Sequence, residues 1–247
     1  MSAELRSKLI WLSLFGVSMA YLESAVVVYL RALLFPNGFS FPLPPLQPLI
    51  IGTEIGREAA TILMLLAPAA MLAGRRMQRF AWFLIAFGVW DIFYYVWLKV
   101  LLGWPESLLA MDILFLVPVP WVGPVLAPSL VSLGIICLGV FLLVGAERHG
   151  RFGMQWGEWF LCAIGAGAVL WSFMGAHIVH ALDQGINTLS DGPAYRLQET
   201  GLEAAFSWPL FIVGTTLAVV GITLTGRRAL GPAVAQVVLS RDRSQNP

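Results

Sequence analysis

Four acidic residues and two histidines are the side chains of this sequence best placed to do chemistry. Glu23, the run Glu54-Ile55-Gly56-Arg57-Glu58, Asp91 and the run His177-Ile178-Val179-His180 all fall within long apolar stretches. An ionisable group in such surroundings is rare and functional unless it is paired. Glu54 and Glu58 are four residues apart, so a helix carries them on one face with Arg57 beside them. His177 and His180 are three apart and share a face in the same way. Asp91 is followed by Tyr94, Tyr95 and Lys99, and the four-residue spacing predicts a hydrogen bond between Tyr95 and Asp91.

Three chemistries fit these residue types. Mixed carboxylate and imidazole ligands suit iron, manganese or zinc. Helix bundles that hold two such metals use four carboxylates and two histidines projecting inward. On that reading the metal ligands are Glu23, Glu54, Glu58, Asp91, His177 and His180. The Glu-x-x-His spacing of those bundles is missing, and both histidines lie in one stretch. Paired haem ligation would want them on two helices. A proton relay is the second chemistry, with Glu58, Asp91 and Tyr95 as the groups that give and take protons.

The third is a buried ion-pair network, with Arg31, Arg57 and Lys99 as its cations. Arginine suits that role because its planar fork pairs carboxylates bidentately. Three cations cannot neutralise Glu23, Glu54, Glu58, Asp91 and Asp112 together, so at least one acid must be protonated or hold a cation. The sequence has no Ser-His-Asp nucleophile elbow, no phosphate loop, no Cys-x-x-Cys and no His-Glu-x-x-His.

The elements that must position these groups follow from composition. Of 247 residues, 58% are hydrophobic and only 12% charged, against about a quarter charged in an ordinary soluble domain. Mean hydropathy is +0.80. A water-soluble globule of this length cannot hide so much apolar surface, so the chain is expected to be an all-α integral membrane protein. A crossing helix needs roughly 20 mostly apolar residues. Six stretches qualify, about 9–34, 49–74, 80–102, 124–146, 156–182 and 201–226.

A shorter apolar piece, 107–117, runs into prolines at 118, 120, 124 and 128. Proline removes backbone donors, and broken backbone at membrane depth survives only under a cover of protein or in a wet cavity. Residues 103–123 therefore read as a re-entrant or interfacial proline-rich element at the outer face of a six-helix bundle. The alternative is a seventh span. Residues 1–228 form one polytopic domain and 229–247 a cytoplasmic tail. The first apolar run continues through Val26-Val27-Val28, too long for a cleaved signal.

The connection 35–48, with five prolines, is expected to be a stiff extended segment across the outer face. No internal repeat relates spans one to three with four to six, which weakens an inverted-repeat transporter reading. Cys137 and Cys162 lie in apolar runs and offer no disulfide framework. No basic tract points to nucleic acid.

Lys and Arg stay preferentially cytoplasmic. With six spans, Arg6, Lys8, Arg75, Arg76, Arg79, Arg148, Arg151, Arg227, Arg228, Arg241 and Arg243 fall on one side, against Glu4, Glu147, Glu158 and Asp242. That side is cytoplasmic, and both termini with it, in a bacterial-type inner membrane. The outer half takes Glu23, Glu54, Glu58, Asp91, Glu106, Asp112, Asp183, Asp191, Glu199 and Glu203, balanced only by Arg31, Arg57, Lys99 and Arg196. At 1.5 Å per residue, Glu23, Glu58 and Asp91 each lie roughly 14–17 Å below the outer boundary. Three carboxylates at one level are expected to face one another.

The function expected from these features is a membrane-embedded enzyme or redox subunit. Its outward-facing acidic pocket would bind a metal ion and act on a membrane-borne, lipid-soluble substrate. The rivals are a small cation- or proton-coupled transporter using the same carboxylates and a non-catalytic subunit among other membrane subunits. The topology has a direct check: reporter fusions after Arg76 and after Arg228 should both read cytoplasmic, whereas an outer signal at the second requires a seventh span.

Overall fold

The computed structural model describes residues 1–34, 48–116, 119–183 and 206–232. Six helices long and apolar enough to cross a membrane are present among them: α1 (Ala3–Leu34), α2 (Pro48–Leu72), α3 (Arg76–Leu102), α4 (Leu126–His149), α5 (Trp156–Asp183) and α6 (Trp208–Leu230). The chain is thus an all-helical, multi-pass membrane protein in a lipid bilayer. The proline-rich connection 35–47, Pro118, the acids Asp191, Glu199 and Glu203 with Arg196, and the tail beyond 232 lie outside the described residues.

Most helices run past the apolar stretches that announce them, because backbone hydrogen bonding continues wherever the ends are satisfied. The Ser2 hydroxyl caps α1 by accepting from the Leu5 N–H at 3.2 Å. Glu158 reaches back to the Gln155 N–H at 2.8 Å and closes the start of α5. Gly103, in the left-handed conformation at φ 69°, ends α3. Pro128 falls in the first turn of α4, where a missing N–H leaves no helical bond unmade.

Between α3 and α4 there is no seventh helix among the described residues. Strand β1 (Met111–Ile113) instead pairs antiparallel with β2 (Val122–Pro124), with Asp112 opposite Gly123. The pairing extends through Leu114 N–H to the Trp121 carbonyl and Trp121 N–H to the Phe115 carbonyl, both 2.8 Å. Val119, Pro120 and Pro124 are fully buried under it. The paired backbone is therefore hydrogen-bonded within the hairpin, and residues 119, 120 and 122–125 are buried.

Helix α3 is the hub. It packs on α1, α2 and α4; α4 packs on α6, and α6 on α5. Two stripes of α3 do this. Ala81, Ile85, Gly88 and Asp91 face α4, while Ala86 and Val89 face α1 across Gly16. A larger core gathers Leu12, Met19, Leu65, Trp82, Ile85 and Leu142 from α1 to α4. A smaller one joins Ala127, Val169, Phe173 and Phe211 with hairpin residues Leu114 and Trp121.

One end of the bundle is knitted by polar contacts between successive junctions. The N-terminal ammonium meets Glu147, Arg75 donates to the Gly150 carbonyl, Arg148 to the Leu230 carbonyl, and Arg228 pairs with buried Glu158. This basic end collects the described arginines outside the apolar stretches. The opposite, hairpin end holds Arg31 and Trp104 in cation–π contact at 4.2 Å.

Helices α5 and α6 meet at glycine. A Cβ on Gly165 would fall 2.6 Å from the Gly214 carbonyl oxygen, and one on Gly214 would fall 2.7 Å from that of Gly165. Lipid offers no hydrophobic drive between helices, so such backbone approach carries much of their association. Gly165→Val should therefore lower the melting temperature of the detergent-purified protein by the equivalent of about 1–3 kcal/mol. Gly167→Val, where a Cβ meets nothing within 4 Å, should change it little.

Candidate functional site

The carboxylates of the hairpin end fall into two groups that differ in what holds them. The first is centred on Arg57 of α2. Its guanidinium takes Glu54 of the same helix in a fork, Nε at 2.9 Å and Nη2 at 2.6 Å from one carboxylate oxygen. It also makes an ion pair with Glu23 of α1. Glu23 accepts a further bond from the Thr61 hydroxyl at 3.0 Å. Arginine has donors only and keeps its charge, so this group is fixed as carboxylate–guanidinium–carboxylate. It is a structural clamp between α1 and α2.

The second group has no such clamp. Asp91 is buried on the α4-facing stripe of α3 and accepts from the Ser132 hydroxyl of α4 at 2.7 Å. Among the described residues it has no basic partner. Asp112 of β1 is buried and accepts from the Tyr95 hydroxyl at 3.2 Å. Glu58 accepts from the backbone N–H of Leu116, just past β1, at 3.3 Å. Serine and tyrosine hydroxyls both donate and accept. The bonds at Asp91 and Asp112 can therefore survive protonation of the acid, with the direction of donation reversed.

Tyr94 connects the groups electrostatically, lying within reach of Asp91, Asp112, Arg31 and Arg57. Arg31 sits over Trp104 and within reach of Asp112. Tyr95 and Trp104 have ring centroids 6.4 Å apart.

Several expectations change here. The hydrogen bond expected between Tyr95 and Asp91 goes elsewhere: Tyr95 donates to Asp112 and Asp91 accepts from Ser132. The four-residue spacing puts the two roots on one stripe, but a phenol oxygen reaches well beyond a short carboxylate and meets the hairpin. Lys99, expected in an ion pair, donates to the carbonyls of Gly103 and Pro105 at 2.9 and 2.8 Å. It closes the end of α3, where helix carbonyls lack partners. Glu23, Glu58 and Asp91 do not share one partner: Glu23 turns to α2, Glu58 to the residues after β1, and Asp91 to α4. Of the adjacent pair on α2, Glu54 rather than Glu58 shares Arg57 with Glu23.

The histidines lie near the end of α5. His177 is buried and its Nδ1 has no partner among the described residues; His180 is half-buried. Helix α5 packs principally on α6, and α2 on α3, so the imidazoles and the Arg57 clamp belong to different sides of the bundle. No three His, Cys, Asp or Glu side chains among the described residues converge as metal ligands. Glu23 and Glu54 are engaged by Arg57 instead.

Thr61, Ser132 and the pairing role of Asp112 were not singled out in the sequence. A lone serine or threonine in an apolar helix usually bonds its own backbone, as Ser18 does to the Leu14 carbonyl at 2.9 Å. Nothing local distinguishes Ser132 from it. Compared with known proteins, the chain matches no family model, no curated protein and no solved structure.

Burial raises the Asp112 carboxyl from its ordinary 3.8 to about 6, with the Arg31 charge, the Ile113 N–H and the Tyr95 hydroxyl opposing and Asp91 adding to the rise. Between those values the folded protein keeps a proton that the unfolded chain releases, so stability falls as pH rises through this window. Wild-type protein should be less stable at pH 7.5 than at pH 4 by about 2 kcal/mol from this group, at about 1.4 kcal/mol per unit and with part of the loss already incurred at pH 4. Melting curves of Asp112→Asn should lack that fall and coincide with wild type at the acid end.

Proposed function

We propose that this chain is a membrane-embedded enzyme or redox subunit that exchanges protons with a membrane-borne substrate at its hairpin end. Asp91, Glu58 and Tyr95 would be its working groups. The observation that carries the reading is the environment of Asp91. It is a buried acid with no basic partner among the described residues, held by one hydroxyl able to serve both of its protonation states. Tyr95 and Asp112 form a second hydroxyl–carboxylate pair beside it. Lipid-exposed acids could not persist there unpaired; covered acids with reversible partners can take up and release a proton.

The positive excess at the basic end supports placing that end and both termini in the cytoplasm of a bacterial-type cell. The hairpin would then lie re-entrant at the outer mouth, and the acids would face outward. Away from the acids, the α3–α4 interface is closed by Ala81, Ile85, Leu138 and Leu142. A site reached from one side fits that packing better than a pathway through the bundle, which favours an enzyme or subunit over a transporter.

A bound iron, manganese or zinc ion is the second reading, favoured by the buried, unpartnered Nδ1 of His177. Infrared titration separates the two. In protein carrying Asp112→Asn, where the Asp112 carboxyl no longer contributes, a carboxylic-acid carbonyl band should still respond to pH. Adding Asp91→Asn should diminish it and adding Glu54→Gln should not. No titrating band overturns the proton reading. A stoichiometric metal in the same preparation that His177→Ala strips would put metal ligation in its place.

A further inference from the structure

At the basic end, where the α2–α3 junction meets the α4–α5 junction, Arg75, Gln78, Gly150, Arg151 and Phe152 enclose a cavity of about 330 Å3. Arg75 gives one N–H to the Gly150 carbonyl at 2.5 Å, which fixes its guanidinium across the two junctions. The side chains of Gln78 and Arg151 have no hydrogen-bond or ion-pair partner among the described residues. The cup is therefore cationic, rich in donors and open.

A second cavity of about 340 Å3 lies between α3, α4, α5 and α6, with Phe80, Leu84, Leu138, Met154, Trp159 and Ala163 among its walls. Apart from Cys162 and Thr215 its lining is apolar. Met77, which also lines the cup, stands three residues before Phe80 and seven before Leu84 of the groove, so all three share one face of α3. Phe152 of the cup stands two residues before Met154 of the groove. The cationic cup thus lies at the start of α3 and the apolar groove further along the same face, within the membrane-spanning part of the helices.

We propose that the cup and groove together bind one anionic phospholipid, its phosphate on Arg75, Gln78 and Arg151 and an acyl chain in the groove. Guanidinium forks match phosphate oxygens bidentately, and basic pockets between membrane helices on the cytoplasmic side take anionic headgroups. A free phosphate would satisfy the cup alone and leave the groove unexplained. The lipid bridges α3 and α5 across a gap that protein side chains leave open. The proposal is independent of the acids at the hairpin end, and its failure would leave them untouched.

Native mass spectrometry of the full-length protein, extracted from liposomes of phosphatidylglycerol and phosphatidylcholine with identical chains, tests it. Wild-type protein should retain phosphatidylglycerol selectively. Arg75→Gln and Arg151→Gln should each lower that retention about fivefold. Ala163→Trp, which fills the groove, should lower it without altering the arginines. Arg151 makes no side-chain bond among the described residues, so its variant should melt like wild type in lipid-free detergent and remain informative if Arg75→Gln does not fold. Equal retention of the two lipids overturns the proposal. So does an equal loss on Arg6→Gln, at the same end but not lining the cup, which would mean general attraction to the basic end. Competition by glycerol phosphate that Ala163→Trp leaves unchanged would identify a soluble phosphate as the occupant and overturn it too.

Discussion

A guanidinium at membrane depth must be given its counter-ions by the protein, and Arg57 finds them on two helices. Helix α2 packs broadly on α3 alone. Its polar attachment to α1 is the Glu23–Arg57–Glu54 clamp, with Thr61 bracing Glu23. With that charge settled, α2 can present its remaining acid, Glu58, to the residues after β1 without an ion pair of its own. The distinction between clamped and unclamped acids, on which the functional reading rests, begins at this one side chain.

Burial of α3 follows the same logic. Three helices and the hairpin surround it, so its polar groups must be answered by them: the Tyr94 carbonyl by Ser24 of α1, Asp91 by Ser132 of α4, and the Tyr95 hydroxyl by Asp112 of the hairpin. Each answer comes from a different element. The helix that carries the candidate chemistry is thereby held in rotation as well as in position, which acid–base groups need in order to meet a substrate in one geometry.

The helices were legible because lipid imposes a length and a composition on anything that crosses it. Their ends were less so: α3 starts at Arg76 and α4 ends at His149, beyond the apolar stretches, since helix ends that reach past the hydrocarbon core tolerate polar side chains. The proline-rich stretch was legible as a break but not as a hairpin, because three-residue strands carry no periodicity to read. Within the site, the presence of acids too numerous for their cations was plain in the sequence. Their partners were not. Ser132 lies 41 residues from Asp91 and Thr61 lies 38 from Glu23, and contacts at such separations depend on how helices turn toward one another. The same rotation decided that Glu54 and not Glu58 would join Glu23 at Arg57.

The clamp also has a consequence for how the protein is made. Synthesis delivers α1 before α2, so Glu23 is already in place when Arg57 emerges, and Glu54 arrives three residues ahead of it on the same helix. The first two helices can therefore enter the bilayer with the arginine already neutralised, before α3 joins them. Asp91 has no such companion. Its hydroxyl partner, Ser132, is made 41 residues later, so the nascent α3 must wait for α4, or enter with that acid protonated.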